Sequence, residues 1–236
     1  LEAADRAVLF KTGVKEIAYR HELVASFMAK WNNDYPGCSG HVHQSLWNAK
    51  GTKNLFYNQK GKQGMSKLME SYIAGQLYCL PYILPLYAPT INSFKRLVEG
   101  AWAPTTLTWG FDNRTTALRV LAGSNKSTRL ETRVPGSDTN PYLSIAACLA
   151  SGLYGVKNKM KLKQPHTIGN GYKEYSYGKI PGSLHEATQA MKGSPLAHEL
   201  FGEDFVDHYT RTRDWESKAY KKFTKGKKPK EITPWE

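Results

Sequence analysis

Apolar side chains recur near helical spacing from Leu1 to about Arg20, with Leu1, Ala4, Val8, Val14, Ile17 and Ala18 on one side of the repeat. The run Leu23–Ala29 reads instead as a strand, and Asn32–Gly37 as a turn punctuated by Pro36 and Gly37. Ser39–Trp47 alternates with period two, so His41, His43 and Ser45 share one face while Val42, Gln44 and Leu46 share the other. After a polar hairpin or loop (Asn48–Gly61), Met65 to about Tyr87 returns to helical spacing, and Pro81 and Pro85 are expected to break or kink its end. An irregular stretch to Pro104 leads to three strand-like runs: Thr105–Trp109, Thr116–Leu121 and Arg129–Val134. Turns fall at Asp112-Asn113 and at Gly123-Ser124-Asn125. Pro141 to about Met160 reads as a helix that Asn140 can cap, with Pro141 at the first helical position. A loop rich in Gly, Tyr and Lys (Gln164–Ile180) precedes short helices at Ser183–Met191 and Glu203–Lys222. Residues 221–236, Lys225–Glu236 above all, are predicted to form an extended terminal segment. Strands followed by helices, without regular βα alternation, predict an α+β domain: an antiparallel sheet with helices packed on one side.

Composition narrows this picture. The 236 residues hold no internal repeat and no dividing linker, and they can bury a full core. No run of about 18 apolar residues predicts a membrane span. The first residues carry neither a leader pattern nor a starting Met, so the chain reads as if cut from something longer. Cys38, Cys79 and Cys148 are widely spaced, which predicts a reducing, cytoplasmic setting and no zinc site. A net charge of +13 points to an anionic partner: nucleic acid, a membrane surface, or phosphate and carboxylate substrates. The densest basic run, Lys221–Lys230, has one aromatic residue, Phe223, and no stacking platform, so no nucleic-acid partner is expected, and without an apolar span no membrane partner is expected either.

Three segments carry candidate chemistry. In Gly37–Ser45, His41 and His43 can hold a metal or a polyphosphate from one strand face, and the glycines let backbone approach an anion. The plainer alternative is a half-exposed strand with two surface histidines, since a His-x-His pair is a weak motif. Arg114 and Arg119 flank small and apolar residues within Asp112–Arg119, and Lys95-Arg96 lie upstream. A solvated basic face is the plain reading; arginine forks suited to phosphate or carboxylate are the functional one. In Arg129–Arg133 the charges of Arg129, Glu131 and Arg133 share a strand face, as a salt-bridge ladder or as a hard-metal ligand beside a carboxylate clamp.

These segments, in this order, resemble the glutamine synthetase family in its bacterial type I branch. The resembling blocks are Ser39–Trp47, Ile91–Pro104, Asp112–Val120, Arg129–Gly136 and Asn140–Met160. The resemblance implies the C-terminal catalytic domain of a ligase of nitrogen metabolism. Family members phosphorylate the γ-carboxyl of glutamate with ATP and let ammonia displace the phosphate, using Mg²⁺ or Mn²⁺. By motif position, His41 and Glu131 are implied as metal ligands, and His43, Ser45 and Lys126 as ATP contacts. Arg114 and Arg119 are implied as the catalytic, phosphate-stabilising arginines, and Gly37, Arg96 and Arg133 as glutamate contacts. A homo-oligomer, a dodecamer of stacked rings, is implied as well, with the remaining carboxylate ligands upstream of Leu1.

Two further departures from the family pattern bear on the acceptor. Trp102, just before Ala103-Pro104, stands where the family has the flap glutamate that helps take a proton from ammonium, and Pro36 replaces an asparagine. Relatives that ligate larger amines lack the same acid. Ammonia ligase, larger-amine ligase and a non-catalytic relative therefore stay open, although the retained arginines, His41 and Glu131 argue against the last. Tyr175 and Tyr177 lie where some members carry a nucleotidylated tyrosine, but their surroundings do not match.

Overall fold

The computed structural model describes residues 1–228 and 232–233. Helix α1 (Glu2–Arg20) opens the chain with Glu2 and Asp5 in its first turn, where they complement the helix dipole. Strand β1 (Val42–Gln44) is the regular core of the longer predicted strand. Helix α2 (Lys67–Ile83) starts at Ser66, whose hydroxyl accepts a hydrogen bond from the Met69 amide at 3.1 Å. Pro81 lies inside α2 and does not end it, and a 3₁₀ turn over Leu84–Leu86 carries Pro85. Helix α3 (Ile91–Arg96) was not expected. Thr90 and Ser93 cap it reciprocally, at 3.0 and 3.1 Å, and that short Thr-x-x-Ser box was its only local signal.

Strands β2 (Trp109–Phe111), β3 (Leu118–Leu121) and β4 (Arg129–Thr132) join β1 in a four-stranded sheet of order β1-β4-β3-β2. The domain is α+β as predicted, with one correction: β1–β4 and β4–β3 are antiparallel, but β2 and β3 run parallel, so the sheet is mixed. The predicted strand at Thr105–Trp109 is displaced to Trp109–Phe111. Residues 105–107 bond to the 178–180 loop instead, through Leu107 N–H to Gly178 and Ile180 N–H to Thr105. Leu23–Ala29 is not a strand. Its carbonyls are taken singly, the one of Phe27 by the Ser137 hydroxyl and that of Ala29 by the Cys38 amide.

Helix α4 (Pro141–Lys157) begins at the Asn140 cap as expected. It crosses α2 at backbone contact: a Cβ on Gly75 would lie 2.3 Å from the Ser151 carbonyl, and one on Gly155 2.1 Å from that of Ser71. Helices α5 (Leu184–Lys192), α6 (Pro195–Phe201) and α7 (Glu203–Thr224) complete the described structure, α6 being the one not predicted. Residues 221–224, expected to begin an extended tail, form the last turn of α7, and the extended segment predicted over 229–231 and 234–236 lies outside the described residues.

The α2–α4 layer covers the apolar face of the sheet. Leu118, Val120 and Leu130 are buried there against Phe56, Met69, Tyr72 and Ile73. A polar knot ties the same face down: Gln44 donates to Thr132 Oγ1, Thr132 to Gln76, and Gln76 to the Cys148 carbonyl, at 2.8, 2.8 and 2.9 Å. Because side chains alternate across a strand, anchoring Gln44, Leu130 and Thr132 below aims His43 and Glu131 above.

Candidate active site

Strand register places the chemistry. His43 on β1 is paired with Glu131 on β4, and Glu131 with Arg119 on β3. Three side chains from distant parts of the sequence thus form one row across the open face. His41, just before β1, reaches the same carboxylate, with Nδ1 2.8 Å from Glu131 Oε1, while His43 Nε2 stands 3.7 Å away. Arg119 donates to Glu131 Oε2 at 3.0 Å, and Arg133 Nε lies 3.5 Å from Oε1. The ladder and the histidine face read separately from sequence are therefore one cluster.

Burial sets its electrostatics. Glu131 is 3% exposed. Burial alone would push its carboxyl up, but hydrogen bonds from His41 and Arg119 and the charge of Arg133 outweigh it and hold the pKa at about 2. His41 and His43 are lowered, chiefly by burial. A neutral His41 satisfies both neighbours: Nδ1–H donates to Glu131, and Nε2 accepts from Arg96, 3.4 Å away. Arg119 also bonds Asp112, through Nε at 3.0 Å and through Nη2, and these acids raise its pKa against the lowering effect of burial. The sequence marks Asp112 only as a turn residue; nothing local in it announces a partner seven residues on.

The other predicted residues divide. Arg96 is buried beside His41 and donates to the carbonyls of Val134 and Arg133 at 2.8 and 3.2 Å. Burial lowers its pKa to about 10. Gly37 packs on it: a Cβ there would lie 2.9 Å from Arg96 Cγ and 2.5 Å from the Ala29 carbonyl. The Arg133 guanidinium donates to the Arg114 carbonyl, and its Nε is buried with no hydrogen-bond partner. The Arg114 side chain is exposed and borders a cavity of about 530 Å³ with Trp102, Phe111 and His166. Ser45 Oγ, one residue beyond β1, accepts from Trp47 Nε1 at 2.9 Å. Lys126 lies exposed in the turn between β3 and β4. Neither Ser45 nor Lys126 bonds the Glu131 cluster among the described residues.

The donor chemistry fits part of a divalent-metal site. One carboxylate oxygen and two imidazole nitrogens converge, but among the described residues no group of three or more His, Cys, Asp or Glu is arranged to hold an ion. A cavity of about 340 Å³ opens beside His41 and His43, and a larger one of about 690 Å³ between α1, Phe27 and α7 borders no member of the cluster. No described helix is long and apolar enough to cross a membrane.

One open sheet face of an α+β domain thus gathers a buried carboxylate, two histidines and the arginines around them. The chain belongs to the family of the glutamine synthetase catalytic domain, which it matches over residues 1–232. It is 55% identical to type-1 glutamine synthetase 2 of Dictyostelium discoideum over 93% of this chain and 43% of that protein. It is 42% identical to glutamate–isopropylamine ligase of a Pseudomonas species over 94% of this chain and 49% of that one. Among solved structures, GmaS in complex with ADP superposes with a TM-score of 0.83 at 33% identity, covering 93% of this chain and 51% of that one. The chain therefore spans about half the length of the relatives it matches.

Proposed function

We propose that this chain carries the catalytic half of an ATP-dependent ligase that forms an amide on the γ-carboxyl of glutamate, with ammonia as acceptor. The row His43–Glu131–Arg119, closed by His41 and Arg133, carries the reading. In the first step a glutamate carboxylate oxygen attacks the γ-phosphorus of ATP, and ADP leaves. In the second, the amine nitrogen attacks the resulting acyl phosphate, inorganic phosphate leaves, and the amine sheds a proton. Negative charge on the transferring group is the main barrier. Arg119 spends three of a guanidinium's five N–H bonds on Asp112 and Glu131, so its plane is fixed while two remain for phosphoryl oxygens. Arg114 would add a second cation from the cavity rim. Arg133 would meet a glutamate carboxylate, with Arg96 and Gly37 behind it. His43, Ser45 and Lys126 would meet the nucleotide at the edge of β1 and the β3–β4 turn; the ADP named with GmaS supports a nucleotide site in this fold. His41 and Glu131 would hold Mg²⁺ or Mn²⁺, which when bound neutralises phosphate charge. The remaining ligands would come from outside this chain, in a homo-oligomer of stacked rings. Mixing two inactive variants, one in this half and one in the other, restores activity if sites are shared; no restoration rejects shared sites.

One observation favours a second reading, a larger amine as acceptor. Trp102 is 61% exposed and borders the same cavity as Arg114, where an indole offers only about 0.5–2 kcal/mol of cation–π attraction to ammonium. A larger amine recovers more by burying methylenes, roughly 0.8 kcal/mol each. The name of the isopropylamine ligase supports such chemistry in a similar chain. Phosphate release with ammonia and with isopropylamine, in wild type and Trp102→Glu, decides between them. The ammonia reading expects ammonia to be preferred by wild type. The second expects isopropylamine to be preferred, and Trp102→Glu to shift the ratio of kcat/KM values toward ammonia. No phosphate release with any amine would reject the ligase.

A further inference from the structure

Helices α5 and α7 present polar stripes to each other away from the Glu131 cluster. On α7, Asp214, Ser217, Lys218 and Lys221 fall at i, i+3, i+4 and i+7, the spacing of one helix face. On α5, His185, Gln189 and Lys192 do the same. These side chains line a cleft of about 340 Å³, and no apolar residue joins them. The apolar contact between the helices lies deeper, through Ala187, Met191 and Val206.

Charge in the cleft is unbalanced. Its one acid, Asp214, is already engaged: it accepts from Gln189 Nε2 at 3.0 Å and sits 3.8 Å from Lys192 Nζ. Lys218 and Lys221 form no ion pair with a described residue. Independently of the lysines, Ser217 is 6% exposed, and its Oγ is buried without a hydrogen-bond partner. A buried hydroxyl left so is uncommon and calls for an acceptor.

We propose that this cleft binds a small phosphoryl-bearing anion, which accepts from the Ser217 hydroxyl and from the ammonium groups of Lys218 and Lys221. Three donors on two turns of one helix suit a group with three equivalent oxygens better than a planar carboxylate with two. The cleft, about 340 Å³, has room for an organic remainder beside the phosphoryl group, as in a phosphomonoester. The site shares no residue with the ligase machinery and does not depend on that reading.

The test is lysine acetylation read residue by residue by mass spectrometry on the intact protein, with glycerol phosphate, inorganic phosphate, or potassium chloride at matched ionic strength. Glycerol phosphate is expected to slow Lys218 and Lys221 about tenfold at saturation, as burial of both amines in charge-assisted bonds requires. Lys222, exposed on the same helix but outside the cleft, should be unaffected. Ser217→Ala should raise the concentration for half-protection about tenfold, the worth of one hydrogen bond to a charged group. Lys218→Gln should do the same when read at Lys221. Stronger protection by glycerol phosphate than by phosphate assigns the organic ligand; equal protection assigns the bare ion and rejects the organic remainder. Slowing of Lys222 to the same degree, equal protection by chloride, or an unchanged half-point in Ser217→Ala would overturn the site.

Discussion

The Glu131 cluster and the Trp102 rim lie in one domain and are built on opposite terms. Each charge in the cluster has a counter-charge, each side chain stands on or next to a strand, and the register of three strands sets the spacing. The rim is loop. Trp102 itself has φ +57°, a left-handed value that a bulky side chain adopts only under constraint, and the indole faces solvent. Chemistry common to every turnover needs fixed distances, which a sheet supplies. Choice of an acceptor needs a surface that can differ between relatives without disturbing those distances, which a loop supplies. The comparison therefore predicts that damage to the cluster is felt in stability and chemistry together, and damage to the rim in selectivity.

The largest effect is expected from Glu131→Ala. Removing the carboxylate leaves Arg133 buried without its counter-charge and Arg119 with Asp112 alone, which should cost about 3–5 kcal/mol in urea unfolding. Turnover should fall by orders of magnitude as well, and a variant with wild-type stability would show that the cluster is not the electrostatic unit described. Next is Arg119→Lys. An ammonium cannot bridge Asp112 and Glu131 as a fork does, and a roughly 10²–10³-fold loss in kcat is expected with a smaller change in stability. Steady-state kinetics with ATP varied would refute the placement if only KM moved.

Acidification probes the same cluster. The carboxyl of Glu131 is held at about 2 against an ordinary 4.5, and His41 and His43 are held below 6.5. In all three the native state favours the deprotonated form, so the unfolded chain binds more protons and stability rises with pH. The contribution is fully present above 6.5. It declines below 6.5 as the unfolded histidines protonate, and declines again from 4.5 toward about 2 as the carboxyl does. Urea midpoints measured from pH 8 to 4 should follow this course, and replacing both histidines with Asn should flatten the part above 5. The smallest change is expected at the rim. Trp102→Gly removes about 1–2 kcal/mol of left-handed strain and loses about 0.5–1 to unfolded-chain freedom, so stability should rise by up to about 1.5 kcal/mol. A fall in melting temperature would mean that the indole packs where it now reads as a free rim.

Much of the cluster was legible because it rests on alternation. His41 and His43 on one face of a strand, and Arg129, Glu131 and Arg133 on one face of another, follow from a period of two and needed no partner to be read. What alternation cannot say is which faces meet. That Glu131 receives the histidines depends on pairing between segments nearly ninety residues apart, and that Arg119 meets Glu131 on one side and Asp112 on the other depends on the register of β3 against its neighbours.

Local physics was decided by the sequence itself. Asn140-Pro141 starts a helix because a capping amide and a residue without an N–H suit its first turn, and the glycines of α2 and α4 permit a crossing that any Cβ would block. Tertiary structure alone decided what counts as a strand. Leu23–Ala29 has the right residues but pairs with no strand among the described residues, and its carbonyls are met singly by Ser137 and Cys38, while Trp109–Phe111 becomes a strand because β3 lies parallel beside it. A helix closes its hydrogen bonds within its own segment, whereas a strand closes them only with another, and so the sheet, its register and the site built on that register belong to the folded chain as a whole.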